Sequence, residues 1–487
     1  MLFSTRWVLK ALGKEDFGLY SVVGGLIVFI LFISNTMVVS VQRFFAYAIG
    51  QGDTEEVKKW FNTALILHIG FSALLVIIGV PVGNYLLDHV MNIPSERLTT
   101  CHWVYYLSIF GAVVSLISIP SIAMFTAKQR IFELSFWNTL HITLVFLVAL
   151  TLLYLQEMDL LLIYSIGMVS SKFLRDLSLV IRARIIFSEC SIKRYYFFNK
   201  ERIKKLISFS GWRLFGGLGT MLKNQGLALL LNVYGNSRIN AAFGLANQIS
   251  GQTSTIGGAV YNALSPEIIS REGAGNRNGM ISLSIRATKF VMLLTFFWAI
   301  PLISEMDFIL GLWLEEIPEY TSIFCKLVIL AYIADLISIG YIGAVYAKGD
   351  IAGYQMLLGG LHILTFPLGW IVLKLGCGYV WTVFCVLLTS TCVGIGRVFW
   401  VKRTIGIAVS RWFKEVFLKL CFVLIPTCVC IFFIRGLIEI SLSRVAVISV
   451  SNILLICIFS WSFSLNINEK EFVKNKIFSI IKYIKMV

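Results

Sequence analysis

Eight ionisable side chains fall inside stretches that are otherwise apolar: Arg6, Lys172, Arg175, Arg213, Lys223 and Lys326, with Asp176 and Asp335 as the only obvious acids. A charge in hydrocarbon costs about 2.5–3.5 kcal/mol on insertion scales, so each must face protein or water. The set is lopsided toward cations. Lys172 and Arg175 stand three apart and so share a helix face. Arg213 opens a predicted helix, and Lys223-Asn224 follow a few turns deeper. The next predicted helix carries Asn247, Gln248, Ser250, Gln252 and Ser254, a run too hydrophilic for lipid, which predicts the lining of an aqueous cavity. Fixed cations beside amides suit an anionic, hydroxyl-rich ligand. Arginine meets phosphate bidentately, lysine meets it as a mobile point charge, and amides satisfy sugar hydroxyls. Structural roles compete with this reading. Arg175 can pair with Asp176 or snorkel, Arg213 lies near a helix end, and Lys326 can neutralise Asp335. Lys223 is the hardest to explain by snorkelling, and no partner for it is visible in the sequence.

The elements that hold these residues are predicted membrane helices. Of the 487 residues, 58% are hydrophobic and 14% charged, against about 25% charged in a soluble domain. Lipid must therefore solvate much of the surface. Apolar stretches long enough to span are predicted at 19–48, 61–87, 103–126, 133–155, 159–187, 206–234, 239–266, 284–304, 321–346, 351–374, 378–401, 416–436 and 445–465. The end of one more helix is predicted in Met1–Leu12, without its beginning, and no cleavable signal peptide is expected there.

Most of the 42 basic residues collect on one side of this layout: Arg43, Lys58 and Lys59, Lys128 and Arg130, the run from Arg182 to Lys205, then Arg271, Arg277, Arg286, Lys289, Lys348, Arg397, Lys402, Arg403, Arg411, Lys414, Lys419 and the C-terminal tail. That side is predicted to be cytoplasmic. The other side includes an acidic loop with Glu305, Asp307, Glu315, Glu316 and Glu319. The net charge of +16 thus reads as a topology signal and an attraction to anionic lipid, and no basic soluble domain exists to bind nucleic acid. Ser191–Lys205 and Glu469–Lys485 are both predicted to be interfacial helices on the inner leaflet. The ten cysteines, without a Cys-x-x-Cys, and the five scattered histidines predict buried, reduced packing residues and no metal site. No cofactor motif is present, and no carboxylate or histidine constellation on a sizeable loop suggests an enzyme.

Phe17-Gly18-Leu19 recurs as Phe243-Gly244-Leu245, each opening a long semi-polar helix that closes on a glycine motif, Gly50-Gln51-Gly52-Asp53 and Glu272-Gly273-Ala274-Gly275-Asn276. With six helices per period, both halves keep one orientation. The expected fold is an all-α polytopic membrane protein: two pseudo-symmetric six-helix lobes plus two extra C-terminal helices, with helix 1 truncated. The expected boundaries are 1–187 for the first lobe, 188–205 for a cytoplasmic connection, 206–403 for the second lobe, 404–467 for the added pair and 468–487 for a basic tail.

Leu12-Gly13-Lys14-Glu15-Asp16-Phe17-Gly18-Leu19-Tyr20, Val22-Val23-Gly24-Gly25 and Val41-Gln42-Arg43-Phe44 resemble the early helices of bacterial polysaccharide and O-antigen flippases. These belong to the multidrug, oligosaccharidyl-lipid and polysaccharide exporter superfamily. Asn92-Ile93-Pro94-Ser95-Glu96-Arg97 and Ala127-Lys128-Gln129-Arg130 fit the same pattern. The resemblance implies a two-lobed bundle in the bacterial inner membrane, C-terminus cytoplasmic, moving undecaprenyl-diphosphate-linked oligosaccharide from the cytoplasmic to the periplasmic leaflet. It matches Arg6 to a basic residue before the Leu-Gly that ends helix 1, and Arg43 to the arginine of a Gln-Arg-Phe motif. A polysaccharide polymerase or glycosyltransferases are the protein partners it implies. The candidate substrate-binding set is therefore Arg6, Arg43, Lys172, Arg175, Arg213, Lys223, Asn224, Asn247, Gln248 and Gln252. A cation-coupled multidrug exporter is the alternative, disfavoured because cationic drugs need buried carboxylates. A membrane polysaccharide polymerase is a more distant one.

Overall fold

Gly13 divides the first helix. The structure is a computed structural model that describes residues 2–91, 93–152, 154, 159–314, 316–467, 469–471 and 474–475, apart from the side chains at 2–6, 9–10, 14, 18, 21–32, 237 and 256. The chain runs helically from Leu2 to Gly50 (α1), broken at Gly13, where φ is 74° and ψ is 175°. A side chain is strained at that φ, so glycine sets the break between the predicted Met1–Leu12 remnant and the helix that follows it.

α2 (Thr54–His89) starts on an Asp53 cap that accepts the Glu56 N–H at 2.8 Å. α3 (Ser95–Ala127), α4 (Ile131–Thr151) and α5 (Leu160–Ile186) follow, and α5 is capped by Asp159. α6 (Lys200–Tyr234), α7 (Ser237–Gly273) and α8 (Arg277–Ser304) are long. Then come α9 (Met306–Trp313), α10 (Thr321–Leu336), α11 (Gly340–Lys348), α12 (Ala352–Lys374) and α13 (Tyr379–Ile405). α14 (Val409–Trp412) runs through a π-helical turn into α15 (Leu418–Leu437), and α16 (Leu442–Phe459) ends the series. No strand occurs among the described residues. Eight helices there are long and apolar enough to cross a membrane, nine with the α10–α11 pair. The other long helices are α1, whose apolar middle lies largely among the undescribed side chains, and α5, α6 and α7, which carry the candidate polar residues.

The backbone divides into two compact units: Met1–Leu214 with Ile269–Asn276, and Phe215–Ile268 with Arg277–Val487. In the first, α3 packs against α1, α2 and α5. Leu12, Leu87, Val104, Tyr105, Leu152 and Tyr164 belong to its core. The two glycine motifs meet here. A Cβ on Gly50 would lie 1.9 Å from the Ser270 carbonyl oxygen, and one on Gly273 would lie 2.2 Å from that of Tyr47. In the second unit α13 packs against α10, α11 and α12, and α16 packs on α8.

Several sequence expectations need correction. Ser191–Lys205 is not an interfacial helix. It is a strap with a short 3-10 turn at Arg194–Tyr196, preceded by another at Ser188–Cys190 and followed by the start of α6. Polar groups on α2 pull its backbone out of helix. Asn62, fully buried, donates to the Ser191 carbonyl at 2.9 Å and accepts from the Lys193 N–H at 2.7 Å, and Thr63 donates to the Tyr196 carbonyl at 3.1 Å. The predicted span 321–346 is two helices bent by 45°. Lys289 and Arg397, counted with the basic residues of the cytoplasmic side, are 1% and 2% exposed within α8 and α13.

Glu305 of the acidic loop is buried, with Arg444 at 2.6 Å and Arg435 at 3.3 Å. Glu469, first residue of the expected tail helix, is buried against Lys289 at 2.6 Å; residues 472, 473 and 476–487 of that tail lie outside the described residues. The C-terminal pair is thereby fixed at one end to Glu305, which follows α8, and at the other to Lys289 within it, and between them Asn452 donates to the Phe296 and Phe297 carbonyls at 3.2 and 3.1 Å. All ten cysteines are free thiols, but Cys392, Cys428 and Cys457 are exposed on apolar helices, a lipid-facing position rather than the buried one expected.

Candidate functional site

Among the described residues, each unit has a centre in which a lysine, an arginine, a histidine and an aspartate gather. In the first unit the centre stands on α5. Asp176 is fully buried, with Arg175 Nη2 at 2.6 Å and Nε at 2.8 Å, and Lys172 Nζ at 3.8 Å. Ser115 of α3 lies 3.2 Å from the other carboxylate oxygen. His141 of α4 feels the charges of Arg175, Lys172 and Asp176. Two cations on one carboxylate leave the group net positive. Arg175 thus has the structural partner foreseen for it, and Lys172 shares it.

Arg43 lies elsewhere in this unit, in an aromatic cradle. Its guanidinium is 4.8 Å from the Phe44 ring centre, 5.1 Å from that of Tyr47 and 5.8 Å from that of Phe209. Arg213, half-buried on α6, belongs to the first unit, although Lys223 on the same helix belongs to the second. Arg6 lies on α1, and its side chain is outside the described residues.

The second unit's centre is assembled from four helices. Arg397 of α13 holds the Asp335 carboxylate of α10 at 2.8 Å, the Asp335 carbonyl at 2.9 Å, the Ser338 hydroxyl at 3.2 Å and the Tyr354 hydroxyl at 3.0 Å. The break between α10 and α11 frees backbone groups that lipid cannot satisfy, and this cluster takes them up. Trp412 donates to the Ile337 carbonyl at 3.0 Å, and the Gly340 N–H donates to Thr288 at 3.0 Å. Lys326, a candidate partner for Asp335, instead pairs with Asp307 at 3.2 Å, because nine residues of α10 put Lys326 and Asp335 about 13 Å apart and on opposite helix faces. The charges of Arg397, His362 and Lys223 act on Asp335, so Lys223 and His362 belong to the same centre.

Lys223 and Asn224 are half-buried on α6. The exposed face of α7 reads Ala241, Gly244, Gln248, Gly251, Gln252, Thr255 and Ala259 at helical spacing, with Asn247 half-buried beside it. Among the described side chains no bulky apolar one stands on that stripe. By contrast, the exposed face of α2 carries Leu74, Ile77, Ile78 and Val82, as lipid requires.

Arg397 and His362 escaped the list of candidates, although a signal existed. His141 and His362 lie 221 residues apart, Arg175 and Arg397 lie 222 apart, and Ser118 and Ser338 lie 220 apart. That near-constant offset places a histidine on α4 and α12, and an arginine on α5 and α13, at equivalent positions of the two halves. Only the carboxylate differs in origin: it neighbours the arginine on α5, but in the second half it comes from α10, 220 residues after Ser115.

No family model and no curated protein sequence matches the chain. Solved structures do. A MATE transporter in complex with MaL6 superposes with a TM-score of 0.70 at 14% identity, covering 84% of this chain and 94% of its own. A MOP superfamily transporter from Pyrococcus furiosus gives 0.70 at 14%, covering 85% and 94%. A variant of the Vibrio cholerae MATE transporter VcmN gives 0.69 at 14%, covering 85% and 93%. The fold is therefore the all-helical, two-lobed fold of MATE transporters.

Proposed function

We propose that the chain is a transporter that moves an anionic lipid-linked oligosaccharide, with undecaprenyl diphosphate as the carrier, from the cytoplasmic to the periplasmic leaflet of a bacterial inner membrane by alternating access. The observation that carries this reading is the charge of the two centres. In each, cations outnumber the one carboxylate, and Lys223 has no carboxylate bound to it among the described residues. The small and amide residues exposed along α7 add a surface suited to sugar hydroxyls.

In this reading Lys223, Asn224, Asn247, Gln248 and Gln252 are the candidate headgroup contacts of the second unit, and Arg6, Arg43, Lys172, Arg175 and Arg213 are those of the first. Residues 1–187 and 206–403 act as the transport lobes, 188–205 as their cytoplasmic connection, 404–467 as an accessory pair and 468–487 as a cytoplasmic tail. Outward movement of negative charge runs with an inside-negative potential, worth about 2.3 kcal/mol per charge per 100 mV. Glycosyltransferases or a polysaccharide polymerase are the expected protein partners.

A second reading, cation-coupled multidrug export, draws on the fold itself, since one similar structure is described as a multidrug resistance MATE family transporter. The Pyrococcus furiosus relative is described as having a pocket of reversed polarity that suggests a different function, so polarity varies within this fold. The cation excess here favours an anion. Expression in a flippase-null strain distinguishes the two. Restored surface polysaccharide, abolished by Lys223→Gln, supports the flippase. Resistance to cationic dyes without polysaccharide supports the exporter.

A further inference from the structure

His362 sits beside a close glycine contact between α6 and α12. A Cβ on Gly219 would lie 2.7 Å from the Gly359 carbonyl oxygen, and one on Gly216 would lie 2.0 Å from Gln355 Oε1, so only glycines let the two helices approach this far. One residue beyond Gly219, Thr220 Oγ1 lies 3.0 Å from His362 Nδ1 and 3.3 Å from the Gly216 carbonyl. Lys223 follows three residues after Thr220, on the same face of α6. The imidazole is 9% exposed, and its Nε2 is buried without a hydrogen-bond partner among the described residues.

The charged groups that face it are Lys223 from α6, Asp335 from α10 and Arg397 from α13. Arg397 and Asp335 are bound to each other at 2.8 Å and largely cancel. Lys223 is the uncompensated charge, and it opposes a second cation on the ring.

We infer that His362 is a proton-binding site whose occupancy is governed by an anion at Lys223: a phosphate-bearing ligand that neutralises the ammonium lets the imidazole take a proton from water. The proton adds to the free ring nitrogen Nε2. Nδ1–H then donates to Thr220, and the threonine hydroxyl donates to the Gly216 carbonyl, so the existing contacts survive the change. By reciprocity, a proton on His362 strengthens anion binding by the same factor. The ligand would be carried with part of its charge compensated by a proton rather than by a metal ion. This rests on the anionic-substrate reading above.

The test is calorimetry of farnesyl diphosphate binding to the purified full chain, in buffers of different ionisation heat. At about pH 7.5 a phosphate with its second ionisation near 6 is already mostly charged and contributes little proton exchange. The expected result is binding with net uptake of a fraction of a proton, up to about one, since a single imidazole gains it. His362→Gln should bind the same ligand without the uptake. Ring-selective histidine NMR of the unaltered protein gives an independent readout, one buried histidine becoming imidazolium as ligand is added. Binding without uptake, or equal uptake in His362→Gln, overturns the inference and leaves the anionic reading standing. Failure of the unaltered protein to bind farnesyl diphosphate overturns that reading, and the inference with it.

Discussion

The two charged centres use the same residue types and are built in opposite ways. In the first unit the carboxylate and both cations come from one helix, α5, and local geometry alone brings Arg175 and Lys172 to Asp176. In the second, Arg397 reaches across to α10, closing a backbone break as well as neutralising Asp335. The first centre has a redundant arrangement of donors. The second has a single arginine on which a carboxylate, a carbonyl and two hydroxyls depend, with Lys223 left over. Under the proposed function the difference is a division of labour, with arginine structural in the second unit and lysine left for the ligand.

Replacing Arg397 by leucine should break the comparison most sharply. It leaves the half-buried Asp335 carboxylate short of its cation and removes the donor to the Asp335 carbonyl and the Ser338 hydroxyl, a loss of about 3–5 kcal/mol summed over groups that each cost about 1–3 kcal/mol when left unpaired. Arg175→Leu leaves Asp176 with Lys172 and Ser115, and should cost about 1–3 kcal/mol. Thermal unfolding of both variants in detergent checks this, and equal losses would contradict the contrast. The transport counterpart is the next largest effect. Lys223→Gln should abolish polysaccharide export in a flippase-null host while folding normally, whereas Lys172→Gln should reduce export only partly. Quantified surface polysaccharide at matched protein levels decides between them.

Asn62→Ala probes the connection rather than either centre. It removes two buried hydrogen bonds to the strap, at about 1–3 kcal/mol for the groups left unpaired. Proteolysis between Ser191 and Asn199 should accelerate, with the two centres unaffected. Acid should act least. Burial works against ionisation of Glu189, but Lys128 at 2.7 Å outweighs it and holds the carboxyl below the usual carboxylate range. That contribution is present above the unfolded value of about 4.3 and lost as pH falls through the lower folded one. Protection of the strap from an acid-tolerant protease should therefore be flat from neutral pH to about 5 and decline only below about 4.

Sequence alone revealed the helical membrane character, the two-lobed repeat and the α5 cluster, because each is written in local spacing. Lys172 and Arg175 share a face by helical period. The polar stripe of α7 appears directly as Gln248 and Gln252. The second centre was opaque because its members come from α6, α10, α12 and α13, and because Arg397 lies near the end of an apolar run that also reads as a cytoplasmic flank. Its purpose, capping a helix break at Ile337–Ile339, has no signature until the break is seen. The strap was misread for a related reason. Alternating Lys, Tyr and Phe fits an amphipathic helix, but the groups that unwind it are on α2, more than a hundred residues away in the chain.

The most direct test of the anionic-substrate claim is competitive binding to the purified chain in lipid nanodiscs, with an undecaprenyl-diphosphate sugar and a lipophilic cationic dye as the two ligands. The diphosphate lipid should bind, weaken with added salt and be lost in Lys223→Gln, while the dye binds neither form. Saturable dye binding that the diphosphate lipid does not displace, unchanged by Lys223→Gln, would contradict the account.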